Sequence, residues 1–257
     1  MARPGIALPL RCDGEVREAR VQRLDRRDDG RPLLTVDRPL YRIGSISALL
    51  LVIGYIGIIP LYVLVGAAPS GGEAKLAYFE GKTTAWWAIV ALSVVTDLLW
   101  VPIALSLYVA LGVVNRAATL IGVGLLLLFV VLDLAVTWPN YAALINLATA
   151  ASGAAGAQRA LYVSAATYAA VVVESGLEAS YAIGVPSLGI LIIGLAMLRG
   201  TFGRVAAYLG ILTGIAGLIA VFGPFLTTAL SPAAIVASLF TTVWFAIVGY
   251  RLFRMGR

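Results

Sequence analysis

The chain has 257 residues, of which 61% are hydrophobic and only 12% are charged, and its mean hydropathy is +0.96. A soluble domain of this composition would expose large apolar patches, so the composition excludes a soluble globular protein and indicates an integral membrane protein surrounded by lipid. The chain has no His and a single Cys, Cys12. These counts exclude an intrachain disulfide and a zinc or haem site built on His or Cys, and we expect no cofactor.

The formal charge of +6 is unevenly distributed, because residues 1–42 contain ten of the nineteen basic and seven of the thirteen acidic residues. We predict that residues 1–41 form a disordered, charged cytoplasmic tail, since their apolar content is too low for a core. A small hairpin or amphipathic segment at the lipid headgroups is the alternative. The arginines of the tail and helix ends are typical of membrane orientation signals, and we expect no nucleic-acid partner.

Residues 42–257 are predicted to form a polytopic, all-α transmembrane domain. About twenty apolar residues cross a bilayer core of about 30 Å, and six segments meet this requirement. The predicted transmembrane helices cover approximately residues 44–66, 85–114, 116–139, 182–198, 205–225 and 233–250.

The basic residues between these segments predict an orientation. Six crossings place eight arginines on one side of the membrane and three basic residues, Lys75, Lys82 and Arg159, on the other. The positive-inside rule then puts both termini in the cytoplasm, and we expect a multi-pass protein of the plasma (inner) membrane.

Residues 139–181 are Ala-rich and are interrupted by the sequence SGAAG at 152–156. We interpret them as an extension of the third helix, followed by an extra helical segment from about Gln158 that leads into the fourth span. Two further crossings would preserve the same orientation, so an eight-span arrangement is the alternative. Pro186 predicts a kink near the start of the fourth span.

Asp97 and Asp133 are the first candidate functional residues, because a carboxylate in hydrocarbon costs at least about 2.5 kcal/mol and usually faces the bundle interior with a partner. Asp97 precedes Asn115 by 18 residues, and Asp133 follows Arg116 by 17. At 1.5 Å per residue, both lie roughly 25 to 27 Å from the basic turn, in the outer half of the membrane. If their helix faces meet, at least one carboxyl group should be protonated or bind a cation.

Other polar residues extend these faces. Trp100 lies three residues after Asp97, and Asn140 lies seven residues after Asp133. On a helix, these spacings place each residue on the same face as its aspartate. Glu174 and Glu178 are spaced i, i+4, so we predict that they share a helix face with Tyr181 and enter the same outer half. The candidate ligand-binding set is therefore Asp97, Asp133, Glu174, Glu178, Trp100, Tyr181 and Asn140. The alternative is structural: each aspartate is protonated and hydrogen-bonded locally, and the glutamates face water.

Small residues predict a helix-packing surface. Gly210, Gly214 and Gly217 follow a small-xxx-small pattern that lets helices approach closely. Trp138 and Trp244 are interpreted as interface or packing residues.

Three hypotheses for function follow. The first is a protein that binds or transports a proton, a cation or a small cationic amphiphile through an outward-facing acidic cavity. The second is an accessory or scaffold protein that packs against a partner or itself as a homo-oligomer. The third, an intramembrane enzyme, is the least favoured, because the chain has no HExxH or P-loop motif and no glycine-rich GxGD context around the aspartates. The metal, if any, is not identified by the sequence.

The segments DLLWVPIALSLYVALGVVNRAATLIGVGLLLL and YAIGVPSLGILIIGLAMLRGTFGRVAAYLGILTGIAGLI resemble a bacterial family of six-span proteins, domain of unknown function 4386. The resemblance covers roughly residues 40–254. It is carried by Asp97 early in the second span, by the turn Asn115-Arg116 and by the turn 199–204. It implies a six-helix membrane bundle and brings no established substrate. The charged amino-terminal segment and the Ala-rich segment 139–181 depart from the family pattern.

Overall fold

The computed structural model of the protein describes residues 37–200, 202–227, 230 and 233–257. Residues 1–36, which make up most of the predicted charged tail, lie outside the described residues. The described chain folds into ten α-helices. They are α1 (Asp37–Val65), α2 (Gly72–Phe79), α3 (Thr83–Gly112), α4 (Arg116–Leu132), α5 (Trp138–Ala151), α6 (Gly156–Val173), α7 (Gly176–Ala179), α8 (Val185–Met197), α9 (Arg204–Phe222) and α10 (Ala233–Met255).

Six helical stretches of the described chain are long and apolar enough to cross a membrane, which confirms the predicted six-span bundle. They are Arg38–Val65, Thr83–Gly112, Arg116–Ala151, Gly156–Met197, Arg204–Phe225 and Ala233–Met255. Two of these stretches combine several helices. In the third, α4 continues through a π-helical segment, Asp133–Thr137, into α5. In the fourth, α6 is followed after a break at residues 174–175 by α7, which continues through a second π-helical segment, Ser180–Gly184, into α8.

The helical domain begins earlier than the sequence indicates. Residues 37–41, predicted as the end of the tail, form the first turn of α1. Contacts with the last helix explain this start: the Arg42 side chain donates a hydrogen bond through Nε to the Gly256 carbonyl (2.9 Å), and the Ser45 hydroxyl donates one to the Gly249 carbonyl (2.8 Å). These bonds give the start of α1 a tertiary partner.

The Ala-rich segment 139–181 has the predicted form, because α5 extends the third span and α6 leads into the fourth. The third stretch has 36 residues, which is about 54 Å of helix against a hydrocarbon core of about 30 Å. Its excess length packs with α6 and with α2. We call these three helices, α2, α5 and α6, the cap. The cap has its own apolar core, formed with the start of α3 and including Leu76, Phe79, Trp86, Leu144, Ile145 and Ala166.

The opposite end of the bundle carries all the arginines of the described residues except Arg159, and we call it the basic end. The chain turns there between α3 and α4 at Asn115 and between α8 and α9, and α10 ends there. The turns lie close together, since the Cα of Gly200 faces Leu111 and Val114, and that of Gly203 faces the guanidinium of Arg251. The predicted grouping of basic residues is therefore present in the structure.

The glycines of α9 pack against helices of the same chain. A Cβ added at Gly214 would lie 2.5 Å from Cβ of Leu191 and 2.6 Å from the carbonyl oxygen of Ser187, both on α8. One added at Gly210 would lie 2.7 Å from Nε1 of Trp244. Gly217 abuts the Ser187 side chain in the same way. This surface is buried within the bundle and is not left open for a second molecule.

Gly214→Ala is expected to destabilise the protein by about 1 to 3 kcal/mol, because the new methyl group meets backbone of α8 and the two helices must separate. Gly124→Ala is the matched control, since a Cβ at Gly124 meets nothing within 4 Å. Thermal unfolding of both variants in nanodiscs measures the difference. Equal melting temperatures would show that the α8–α9 contact is looser than described.

Candidate functional site

A layer of polar side chains separates two apolar cores. On one side lies the core of the bundle, which includes Trp100, Leu126 and Phe129, and on the other lies the core of the cap. The boundary contains four buried polar residues from three spans, which we call the polar layer: Asp97, Asp133, Thr137 and Tyr181.

Asp97 lies near the middle of α3 and is 4% exposed. Its Oδ2 accepts a hydrogen bond of 2.6 Å from Nε1 of the Trp138 indole. A bond this short is typical of a donor facing a carboxylate. The partner comes from the third span, so the bond ties α3 to α5.

Asp133 is 5% exposed and starts the first π-helical segment. Its carboxyl group lies close enough to that of Asp97 for the two to share a hydrogen bond. Its Oδ1 is buried and accepts no hydrogen bond from an N–H or hydroxyl group of the described residues. The structure thus brings the two predicted aspartates together and leaves one carboxyl oxygen without such a donor.

Both π-helical segments precede a proline, and this position explains them. Pro139 and Pro186 each lie in the first turn of the following α-helix. A proline ring has no N–H and clashes with the carbonyl four residues earlier, which is Ala135 in one segment and Ala182 in the other. A wider turn relieves the clash, and such turns are frequent at functional sites. The kink predicted at Pro186 is thus a π-helical segment that ends just before it.

The first π-helical segment also changes which side chains meet. Residues five apart lie on different sides of a regular α-helix. In the wider turn the backbone N–H of Trp138 bonds to the carbonyl of Asp133, and the Trp138 indole approaches both aspartates. Trp138 does pack against the core of the cap, as predicted, but it also donates a hydrogen bond to Asp97, which was not predicted. Regular helical spacing gave no signal for this contact.

The two π-helical segments are joined by a hydrogen bond between side chains. The Thr137 hydroxyl and the Tyr181 hydroxyl lie 3.0 Å apart. Glu178, half-buried on α7, lies within electrostatic range of both Asp133 and the Tyr181 hydroxyl. Tyr181 and Glu178 therefore belong to the neighbourhood of the aspartate pair.

Glu174 has a different position, and the prediction that it shares a helix face with Glu178 is wrong. The helix ends at Val173, and Ser175 starts a new one by accepting a hydrogen bond from the Glu178 backbone N–H on its hydroxyl oxygen. Glu174 instead forms an ion pair with Lys75 of α2 (3.0 Å) and accepts a hydrogen bond from the Gly71 backbone N–H (3.3 Å). It holds the cap together.

Trp100 and Asn140 form hydrogen bonds with groups other than the two aspartates. Nε1 of Trp100 donates to the Tyr55 hydroxyl (3.0 Å), and the ring packs edge-on against Phe129 and Phe245. The Asn140 amide donates to the Val136 carbonyl of its own helix (2.8 Å). None of the described hydrogen bonds joins either side chain to an aspartate.

An aromatic cluster next to the polar layer was not predicted from the sequence. Trp86 stacks on Tyr141 with ring centroids 5.3 Å apart, and it meets Tyr62 edge-on at 6.0 Å. Trp138 contacts Tyr141 at 5.8 Å. The hydroxyl groups of Tyr62 and Tyr141 lie within electrostatic range of Asp133 and Glu178. Aromatic faces attract cations, and among these rings the faces of Trp86 and Tyr141 pack against each other.

Tyr78 of the cap borders this cluster. Its hydroxyl donates to the Gly66 carbonyl (2.8 Å), and Lys82 lies over its ring, 4.2 Å from the centroid. Burial raises the pKa of the Tyr78 hydroxyl above its ordinary value, so this group stays a hydrogen-bond donor.

Among the described residues, no group of three or more Asp, Glu or Cys side chains could hold a metal ion. No family model matches the chain, and no curated protein or solved structure does so. Any inference about function therefore depends on the geometry of the polar layer.

The Lys75–Glu174 pair allows a test of the cap. Glu174→Gln is expected to cost roughly 1 to 3 kcal/mol, because it leaves a Lys side chain that is only 5% exposed without its counter-charge, whereas Glu174 itself is 32% exposed. In Lys75→Met/Glu174→Gln the loss should be smaller than the sum of the two single losses, since no unpaired charge remains. Unfolding of all four proteins gives the coupling energy, and additive losses would contradict a direct pair.

Proposed function

We propose that the protein binds, and by alternating access transports, a proton or a small organic cation at the Asp97–Asp133 pair. One observation carries this proposal: two adjacent carboxyl groups are buried in an apolar surrounding with no Lys or Arg among the described residues paired to either of them. Buried like charges repel strongly, so the pair is stable only when a positive charge lies between or beside the two groups.

The site offers too few oxygen ligands for a typical hard metal ion, so it favours a proton or an organic ammonium group. Only two carboxyl groups meet directly, and Glu178 is the next acid in range. A proton needs only two oxygens. An organic ammonium group would also gain from the rings of Trp138 and Tyr141.

Access to the pair would require the cap to move. Both aspartates are at most 5% exposed, so a cation larger than a proton cannot reach them in the conformation described. The hydroxyl pair Thr137–Tyr181 joins the π-helical segments of the third and fourth spans. These wider turns are the points at which the two long helices could bend.

The proposed orientation follows from the basic end. If the arginines lie in the cytoplasm, then both termini are inside, the cap is outside, and the acid pair faces the outer half of the plasma membrane. We also propose that the chain belongs to the family domain of unknown function 4386, whose members have six spans. This family has no established ligand.

The scaffold hypothesis is less well supported. Its strongest surface was Gly210 to Gly217, and this surface packs against α8 and α10 of the same chain. Self-association would need a different face.

The functional test is a proton flux and cation uptake assay in proteoliposomes. Asp97→Asn and Asp133→Asn should each abolish flux of protons, measured with an internal pH dye, or uptake of tetraphenylphosphonium, used as the organic cation. Glu80→Gln is the control, because Glu80 is an exposed acid in the turn before α3. Each variant is first shown to keep its melting temperature. Wild-type activity in both aspartate variants would refute the proposal.

A further inference from the structure

A groove opens at the basic end where α4 and α8 diverge. The two helices cross closely at a pair of glycines: a Cβ at Gly122 would lie 3.1 Å from the Gly189 carbonyl, and one at Gly189 would lie 2.9 Å from the Gly122 carbonyl. Towards the basic end they separate around a space of about 390 Å³. This volume falls within the range of about 300 to 1,000 Å³ that is typical of ligand sites.

The groove has an apolar body and a polar mouth. Ala118, Ile192, Leu195 and Ala196 line the body, and Asn115 and Arg199 lie at the mouth. Such a surface next to lipid would be covered by an acyl chain. Its lining residues come from or directly flank two membrane-spanning helices, α4 and α8.

Three groups give the mouth a positive potential. Arg199 and Arg116 are both exposed, and neither forms an ion pair with a described residue. The mouth also lies at the amino end of α4, a helix of 17 residues. Asn115 accepts a hydrogen bond from the Ala118 N–H (3.1 Å), and the earlier N–H groups of this first turn have no intrahelical acceptor. A helix amino end flanked by arginines is a favourable position for a phosphate.

We propose that this groove is a specific site for one anionic phospholipid. Its phosphate would contact Arg199 and the amino end of α4, and one acyl chain would lie along Ile192 and Leu195. Charge complementarity selects an anionic headgroup over a zwitterionic one. This site is separate from the Asp97–Asp133 pair and does not depend on the function proposed for that pair.

The test compares binding of phosphatidylglycerol and phosphatidylcholine to the purified full-length protein by native mass spectrometry. The wild type should bind phosphatidylglycerol more tightly. Arg199→Gln should weaken phosphatidylglycerol binding by about fivefold, the factor that corresponds to ~1 kcal/mol for one arginine near an anionic surface. Phosphatidylcholine binding should hardly change.

Two further variants make the result specific. Ala118→Leu should reduce binding of both lipids, because the larger side chain fills the groove. Arg254→Gln removes an exposed arginine of the basic end that does not line the groove, and it should leave the preference unchanged. The proposal is overturned if the wild type binds both lipids equally, or if Arg199→Gln keeps the wild-type preference and Ala118→Leu keeps the wild-type affinity for phosphatidylglycerol. It is also overturned if Arg254→Gln weakens binding as much as Arg199→Gln, since the attraction would then be diffuse.

Discussion

The contact between the carboxyl groups of Asp97 and Asp133 constrains the middle of this molecule. Each group is buried at the boundary of two apolar cores, and neither has a basic partner among the described residues. A lone carboxylate in such a place already costs free energy, and two adjacent ones cost more. A bound positive charge would offset this cost, and the indole N–H of Trp138 donates a hydrogen bond that stabilises negative charge on the pair.

The helix geometry around this contact depends on two prolines. Pro139 and Pro186 each widen the turn before them, and the wider turns place Trp138 against Asp97 and Tyr181 against Thr137. The same widening occurs in neighbouring spans at the same level. The acid pair and the two wider turns therefore lie at one level of the bundle, which is where the proposed carrier would need both a binding site and points of bending.

Much of the fold could be predicted from the sequence, because span length, arginine position and small-residue spacing are local signals. The six spans, the extension beyond Pro139 and the helix-packing role of Gly210 to Gly217 depend on these signals, whereas the partner of that glycine surface, α8 and α10 of the same chain, was not predicted. The meeting of Asp97 and Asp133 followed from their equal distance to one tight turn. The contacts of Trp138 and Glu174 could not be predicted, since regular α-helical spacing misplaces both: one follows a π-helical segment, and the other caps a helix end. The rings of Tyr62, Trp86 and Tyr141 come together only because α1, α3 and α5 pack against one another.

The most direct test of this account is the infrared absorption of carboxyl groups in the purified protein at neutral pH, in a buffer free of metal and organic cations. A proton is then the available positive charge. The account predicts a C=O band from a buried protonated carboxyl group that shifts when either Asp97 or Asp133 is replaced by Asn and is lost when both are replaced. A spectrum that shows only ionised carboxylates, or a band unaffected by both substitutions, would contradict it.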